Sequence, residues 1–109
     1  LSGFMYSRFP IPISEIAKRL NLLITNEEMR KISHRDLTNW LMSVGLIYEQ
    51  ARPDGKKQKL PTEEGQALGI SVDKREGAHG VYYVTVYSRE AQSFIIDNLD
   101  AVVAMKYDK

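Results

Sequence analysis

Residues 33–61 read Ser-His-Arg-Asp-Leu-Thr-Asn-Trp-Leu-Met-Ser-Val-Gly-Leu-Ile-Tyr-Glu-Gln-Ala-Arg-Pro-Asp-Gly-Lys-Lys-Gln-Lys-Leu-Pro, and the fold turns on this stretch. Ser33 offers an oxygen to the free N–H groups of a first helical turn. Asp36, three residues on, suits the positive end of that turn. Leu37, Trp40, Leu41 and Val44 fall at i, i+3, i+4 and i+7, which predicts one apolar stripe facing a core. The opposite face is then expected to carry Arg35, Thr38, Asn39 and Ser43. Gly45 accepts the left-handed backbone that ends a helix at little cost. Residues 46–50 suit a strand and 57–60 its antiparallel return. Between them, Pro53 presets φ and Gly55 tolerates positive φ, as a tight turn requires.

Charge within this stretch is uneven. The chain has 109 residues with a net charge of only +1, which argues against a uniformly basic nucleic-acid binder. Yet the segment 52–59 holds four basic residues, Arg52, Lys56, Lys57 and Lys59, against the single acid Asp54. Helix, glycine stop, strand, basic turn and return strand are the order in which a winged helix-turn-helix presents a recognition helix and a wing. Arg35, Thr38, Asn39 and Ser43 carry groups able to bond base edges or phosphates, and the four tip cations could grip phosphates. The same residues also fit one ordinary amphipathic helix and a solubilising hairpin tip. Both readings stay open at this point.

The remaining composition bounds the class. The length suits one domain able to bury a core of its own. There is no cysteine, hence no disulfide framework, and no apolar run approaches a membrane span. No basic-then-apolar export pattern opens the chain, so a cytoplasmic protein is expected. An opening Leu1 in place of methionine is what an excised domain of something longer, or a trimmed chain, is expected to show.

Along the chain, Phe4, Tyr6, Phe9, Pro10 and Pro12 make residues 1–12 an extended arm whose aromatics are expected to dock on the domain or on a partner. Residues 13–109 are expected to form a single domain. Ile13, Ile16, Ala17 and Leu20 repeat at helical spacing, with Ser14 as the expected cap and Glu15, Lys18 and Arg19 outside. Thr25 and Glu28 read as a capping box opening a short helix to about Ile32. Thr62 is expected to cap a short helix that Gly69 stops. Residues 70–75 and 81–87 are expected as strands around a glycine-bearing turn at 76–80. Because Val81, Tyr83, Thr85 and Tyr87 alternate with Tyr82, Val84 and Val86, the last strand is expected to be covered on both faces or to meet a partner on one. Ser88 is expected to cap one long terminal helix reaching about Met105. Its stripe is Ala91, Phe94, Ile95, Leu99, Val102 and Val103, serving the core or a dimer contact.

Residues 13–20, 37–48, 61–70 and 83–96 together resemble the C-terminal domain of phage antirepressors: a first helix, a recognition-like helix leading into Gly-Leu-Ile-Tyr, a proline-led short helix ending in Gly-Ile, then a strand and a Ser-x-x-Ala-x-x-Phe-Ile helix. The resemblance implies a winged-helix-like DNA-binding domain of a bacterial or prophage regulator. The segment 21–32 and the longer last helix depart from that pattern.

Catalytic signals are sparse. His34 and His79 are far apart and neither belongs to a run with metal-ligand spacing. No phosphate-binding glycine loop or nucleophile elbow is present, and Glu63 and Glu64 are explained by the start of a helix. The expectation is therefore an α+β, winged-helix-like domain with N-terminal helices, a basic β-hairpin, a second strand pair and a long C-terminal helix. It is expected to bind double-stranded DNA without catalysis, cofactor, metal or small-molecule substrate. The alternative is a protein-interaction or dimerisation module of a larger protein, acting through the C-terminal helix or the aromatic strand.

Overall fold

The computed structural model describes residues 3–23 and 31–107. These form an α+β domain of five helices and two antiparallel sheets. The expected capping box at Thr25 and Glu28 lies outside the described residues, while Lys31 and Ile32 precede the second helix without joining one.

The arm enters the domain. Phe4 is buried in the main core, and strand β1 (Ile11–Pro12) pairs with the last strand through Ile11↔Tyr87 and Pro12↔Val86. This pairing keeps the chain extended through Pro12, so helix α1 (Ile13–Asn21) starts one residue ahead of the expected cap. Pro12 occupies the cap position without a side-chain bond, and Ser14 lies within the first turn. Ile16, Ala17 and Leu20 are buried, and Glu15 pairs with Arg19 at 3.0 Å across one turn. Asn21 closes the helix against a later segment: its amide donates to the Ile32 carbonyl at 2.8 Å and its oxygen accepts from the Ile32 N–H at 3.0 Å.

Helix α2 (His34–Ser43) carries the expected cap. Ser33 Oγ accepts from the Asp36 N–H at 3.1 Å, and the Asp36 carboxylate accepts from the Ser33 N–H at 2.8 Å. Gly45 adopts φ +78° and reverses the chain into strand β2 (Ile47–Ala51), which pairs with β3 (Lys57–Pro61) from Ile47↔Pro61 to Ala51↔Lys57. The base of this hairpin is tied to the end of α2. Leu46 N–H donates to the Leu41 carbonyl at 3.0 Å, Thr62 N–H to Leu46 at 3.0 Å, and Thr62 Oγ1 to Gly45 at 2.7 Å. Helix α3 (Glu63–Leu68), capped by Thr62 through the Gly65 N–H, presses on the same corner. A Cβ on Gly65 would stand 2.0 Å from the Leu46 carbonyl oxygen, so only glycine allows that approach.

Strands β4 (Ile70–Gly77) and β5 (Gly80–Tyr87) form the long hairpin, giving the sheet order β1-β5-β4. Its turn is tighter than expected. Gly77 pairs with Gly80, and only Ala78 and His79 lie between them. Of the two alternatives expected for β5, cover on both faces from the domain itself holds only at its end: Val86 and Tyr87 are buried, whereas Val81, Tyr82 and Tyr83 are exposed. The hairpin outruns the helices available to cover it.

The terminal helix is divided. Ser88 caps α4 (Arg89–Asp97), accepting from the Ala91 N–H at 3.2 Å, and α5 (Leu99–Tyr107) follows a break at Asn98. Asn98 sits at φ −112°, donates its side chain to the Phe94 carbonyl at 2.7 Å, and lends its own carbonyl to Ala101 and Val102. One amide thus closes α4 while its backbone opens α5, satisfying end groups that a continuous helix would pair internally. Val103, expected in the stripe, is exposed as a result; Val102 is the buried residue of α5.

The core joins Ile16 and Leu20 of α1, Leu37, Trp40 and Leu41 of α2, Ile70, Tyr87, and Ala91 and Ile95 of α4. Trp40 stacks on Phe94 at 5.7 Å between ring centroids. Burial pushes the Tyr87 hydroxyl pKa well above the usual phenol value. No helix among the described residues is long and apolar enough to cross a membrane.

Candidate nucleic-acid interface

Two of the expected reading residues on α2 stand free. Arg35 and Asn39 are exposed, lie one turn apart on one face, and their side chains have no hydrogen bond or ion pair among the described residues. Ser43, one turn further, is exposed, but its hydroxyl donates to the Trp40 carbonyl at 2.6 Å. Thr38 requires correction. It is 6% exposed, belongs to the buried face with Leu37, Trp40 and Leu41, and spends its hydroxyl on the Arg35 carbonyl at 3.1 Å. Val44, expected in that stripe, is 47% exposed. The buried arc is rotated toward Thr38 because Val44 falls at the helix C-cap, where the backbone leaves helical geometry before Gly45.

The N-terminal end of this face has a neighbour that sequence spacing could not reveal. Lys106 of α5 donates to the Asp36 carboxylate at 2.9 Å and to the Lys31 carbonyl at 2.8 Å. Burial tends to raise the Asp36 pKa. The Lys106 hydrogen bond, the Ser33 N–H and hydroxyl, and the Lys106 charge outweigh it and hold the carboxyl below its usual value. Asn39, Met105 and Lys106 border one small recess with Asp36, so α5 flanks the exposed face of α2 while leaving Arg35 and Asn39 uncovered.

The hairpin tip holds its charges in a defined pattern. Arg52 N–H donates to the Lys56 carbonyl at 2.7 Å and Gly55 N–H to Arg52 at 3.0 Å, closing the turn. The Arg52 guanidinium pairs with Asp54, while Lys57 and Lys59 share Glu49 at 3.4 and 3.0 Å. Lys56 has no ion pair among the described residues. Two carboxylates against four cations leave the hairpin at +2, with residues 51–57 all exposed. The Lys59 hydrogen bond chiefly, with both lysine charges, keeps Glu49 ionised to lower pH. The Lys56 backbone N–H, helped by Arg52, does the same for Asp54. Such exposed pairs are weak in water and exchange readily for phosphate.

His34 and His79 are both exposed, and no group of three or more potential metal ligands occurs among the described residues. Comparison with protein-family models, with curated proteins and with solved structures finds no match to the chain.

Proposed function

We propose that this chain is a winged-helix-like domain that binds double-stranded DNA, with α2 as recognition helix and the β2–β3 hairpin as wing. One observation carries the reading: Arg35 and Asn39 stand one turn apart on α2, exposed, with side chains that have no hydrogen bond or ion pair among the described residues. Arginine suits the guanine edge and asparagine the adenine edge in a major groove. The base of the wing is tied to the end of that same helix through the Leu46 and Thr62 bonds, which supports Arg52, Lys56, Lys57 and Lys59 acting together with it. They would grip backbone phosphates and set position rather than sequence. Ser43 retains acceptor capacity for a phosphate-bound water or a donor; Thr38 drops out of the surface. The resemblance to phage antirepressor C-terminal domains supports a regulatory role in a bacterial or prophage protein.

A fluorescent mixed-sequence duplex titrated at several salt concentrations tests this. Replacing Lys56 and Lys57 by alanine is expected to weaken binding and to lower the slope of log K against log salt by about two. An unchanged slope removes the wing from the interface.

A second reading, self-association, is favoured by α5, which is apolar on nearly every side although only Val102 is fully buried. Light-scattering mass measurement decides it: a dimer supports a two-fold reader of paired half-sites, and a concentration-independent monomer removes it.

A further inference from the structure

The end of the β4–β5 hairpin is unusual in its pairing of rings with cations. Tyr82 and Tyr83 are adjacent in a strand and so point to opposite faces, with 48% and 61% of their surfaces exposed. In register, Tyr82 lies opposite Arg75 and Tyr83 opposite Lys74. Arg75 is held by Asp73 at 3.1 Å, whereas Lys74 has no ion pair among the described residues. The Tyr83 face is therefore the one that offers an uncommitted charge beside an exposed ring.

That same face meets the proposed wing. Thr85 Oγ1 donates to the Lys59 carbonyl, which fixes the first hairpin against the second. Tyr83, Thr85, Gln58 and Lys59 border a recess of about 300 Å³ that the start of α1, through Pro12 and Ser14, also lines. This volume admits a planar ring system. Its wall supplies the Tyr83 ring, the Gln58 amide able to bond a base edge, and Lys59, which would exchange Glu49 for a phosphate; Lys74 lies opposite Tyr83 in the strand register, outside the recess itself. We infer that the recess stacks an unpaired nucleobase on Tyr83, with Lys74 and Lys59 contacting the adjoining backbone, so that the domain takes duplex DNA continuing into a single strand. The inference rests on the nucleic-acid reading of α2 and the wing, and it adds a base-stacking site to that interface. A polyanion matches this rim better than an apolar peptide does, because the cations flank the ring instead of leaving it in a purely hydrophobic patch.

Three fluorescent probes separate the outcomes: a blunt duplex, the same duplex with a single-stranded thymidine tail, and a thymidine oligomer. The tail is expected to tighten binding about fivefold to a hundredfold. Tyr83→Ala is expected to abolish that gain without changing blunt-duplex affinity, and Tyr83→Phe to keep it. Tyr82→Ala, on the other face, is expected to leave it intact. A tail that adds nothing, or a Tyr83→Ala variant that weakens blunt and tailed duplex equally, overturns the inference while the duplex reading stands. If only the tailed and single-stranded probes bind, in a Tyr83-dependent way, the duplex reading fails and the stacking site survives. If no probe binds, both fail and the tyrosine face is left to a protein partner.

Discussion

Replacing Gln92 by leucine tests how the N-terminal arm is held. Gln92 is 0% exposed, and its amide nitrogen donates to the Tyr87 carbonyl at 3.0 Å and to the Ser7 and Phe9 carbonyls at 3.3 and 3.4 Å, while its oxygen accepts from the Ser7 N–H at 2.8 Å. Two amide hydrogens serve three acceptors, so the two long contacts count as one bond. That makes about three effective bonds at roughly 1 kcal/mol each, and leucine keeps the bulk while removing them all. Burying leucine returns part of the loss, but the Tyr87 carbonyl is left with one donor fewer inside the core. The expected destabilisation is about 2–4 kcal/mol, read as a lower urea midpoint with unchanged slope and a Tm lower by roughly 10–20 °C. Because three of the four contacts reach the arm, limited proteolysis should cut within residues 3–12 before the remainder unfolds. A loss under about 1 kcal/mol with the arm still protected would refute the assignment of Gln92 as its anchor.

Other perturbations address the site's scaffold. Gly65→Ala places a methyl against the Leu46 carbonyl; the clash is expected to cost about 1–3 kcal/mol more than the helix gains, measured by denaturant unfolding. Asp36→Ala removes half of the capping box and the Lys106 partner, for an expected loss of about 1–2 kcal/mol. Since the folded Asp36 pKa lies below the unfolded value of about 3.9, its contribution is complete above that pH and disappears as pH falls through the folded value. An acid titration of stability should therefore be shallower in Asp36→Asn than in the parent. Arg35→Ala and Asn39→Ala should leave stability within about 0.5 kcal/mol while weakening DNA binding, because both side chains are exposed and neither has a hydrogen bond or ion pair among the described residues.

Local chemistry was readable wherever a residue's neighbours in sequence are also its neighbours in space. Ser33 with Asp36, Gly45, the Pro53–Gly55 turn, and Thr62 and Ser88 as helix caps act within three residues of their own position, and the corresponding element ends were legible; the ties of Thr62 to Gly45 and Leu46 were not. What failed depended on long-range packing. The rotation that buries Thr38 and exposes Val44 moves a stripe by one residue, which spacing alone does not resolve. Asn98 falls inside the single terminal helix that was expected, and its bond to Phe94 and its carbonyl's role in α5 break that helix. Lys106 reaches Asp36 across 70 residues, and Gln92 reaches Ser7 across 85, so neither contact leaves a mark in the pattern. Of the proposed surface, Arg35, Asn39 and the tip cations came from the sequence; the recess beside Tyr83 required the two hairpins to be placed together.

Amide chemical-shift mapping of the labelled domain titrated with duplex DNA tests the interface most directly. The expected shifts cluster on the exposed face of α2 around Arg35 and Asn39 and on the wing around Lys56 and Lys57, and fade as salt is raised. Shifts confined to α5 or the arm, or none at high DNA concentration and low salt, would contradict it.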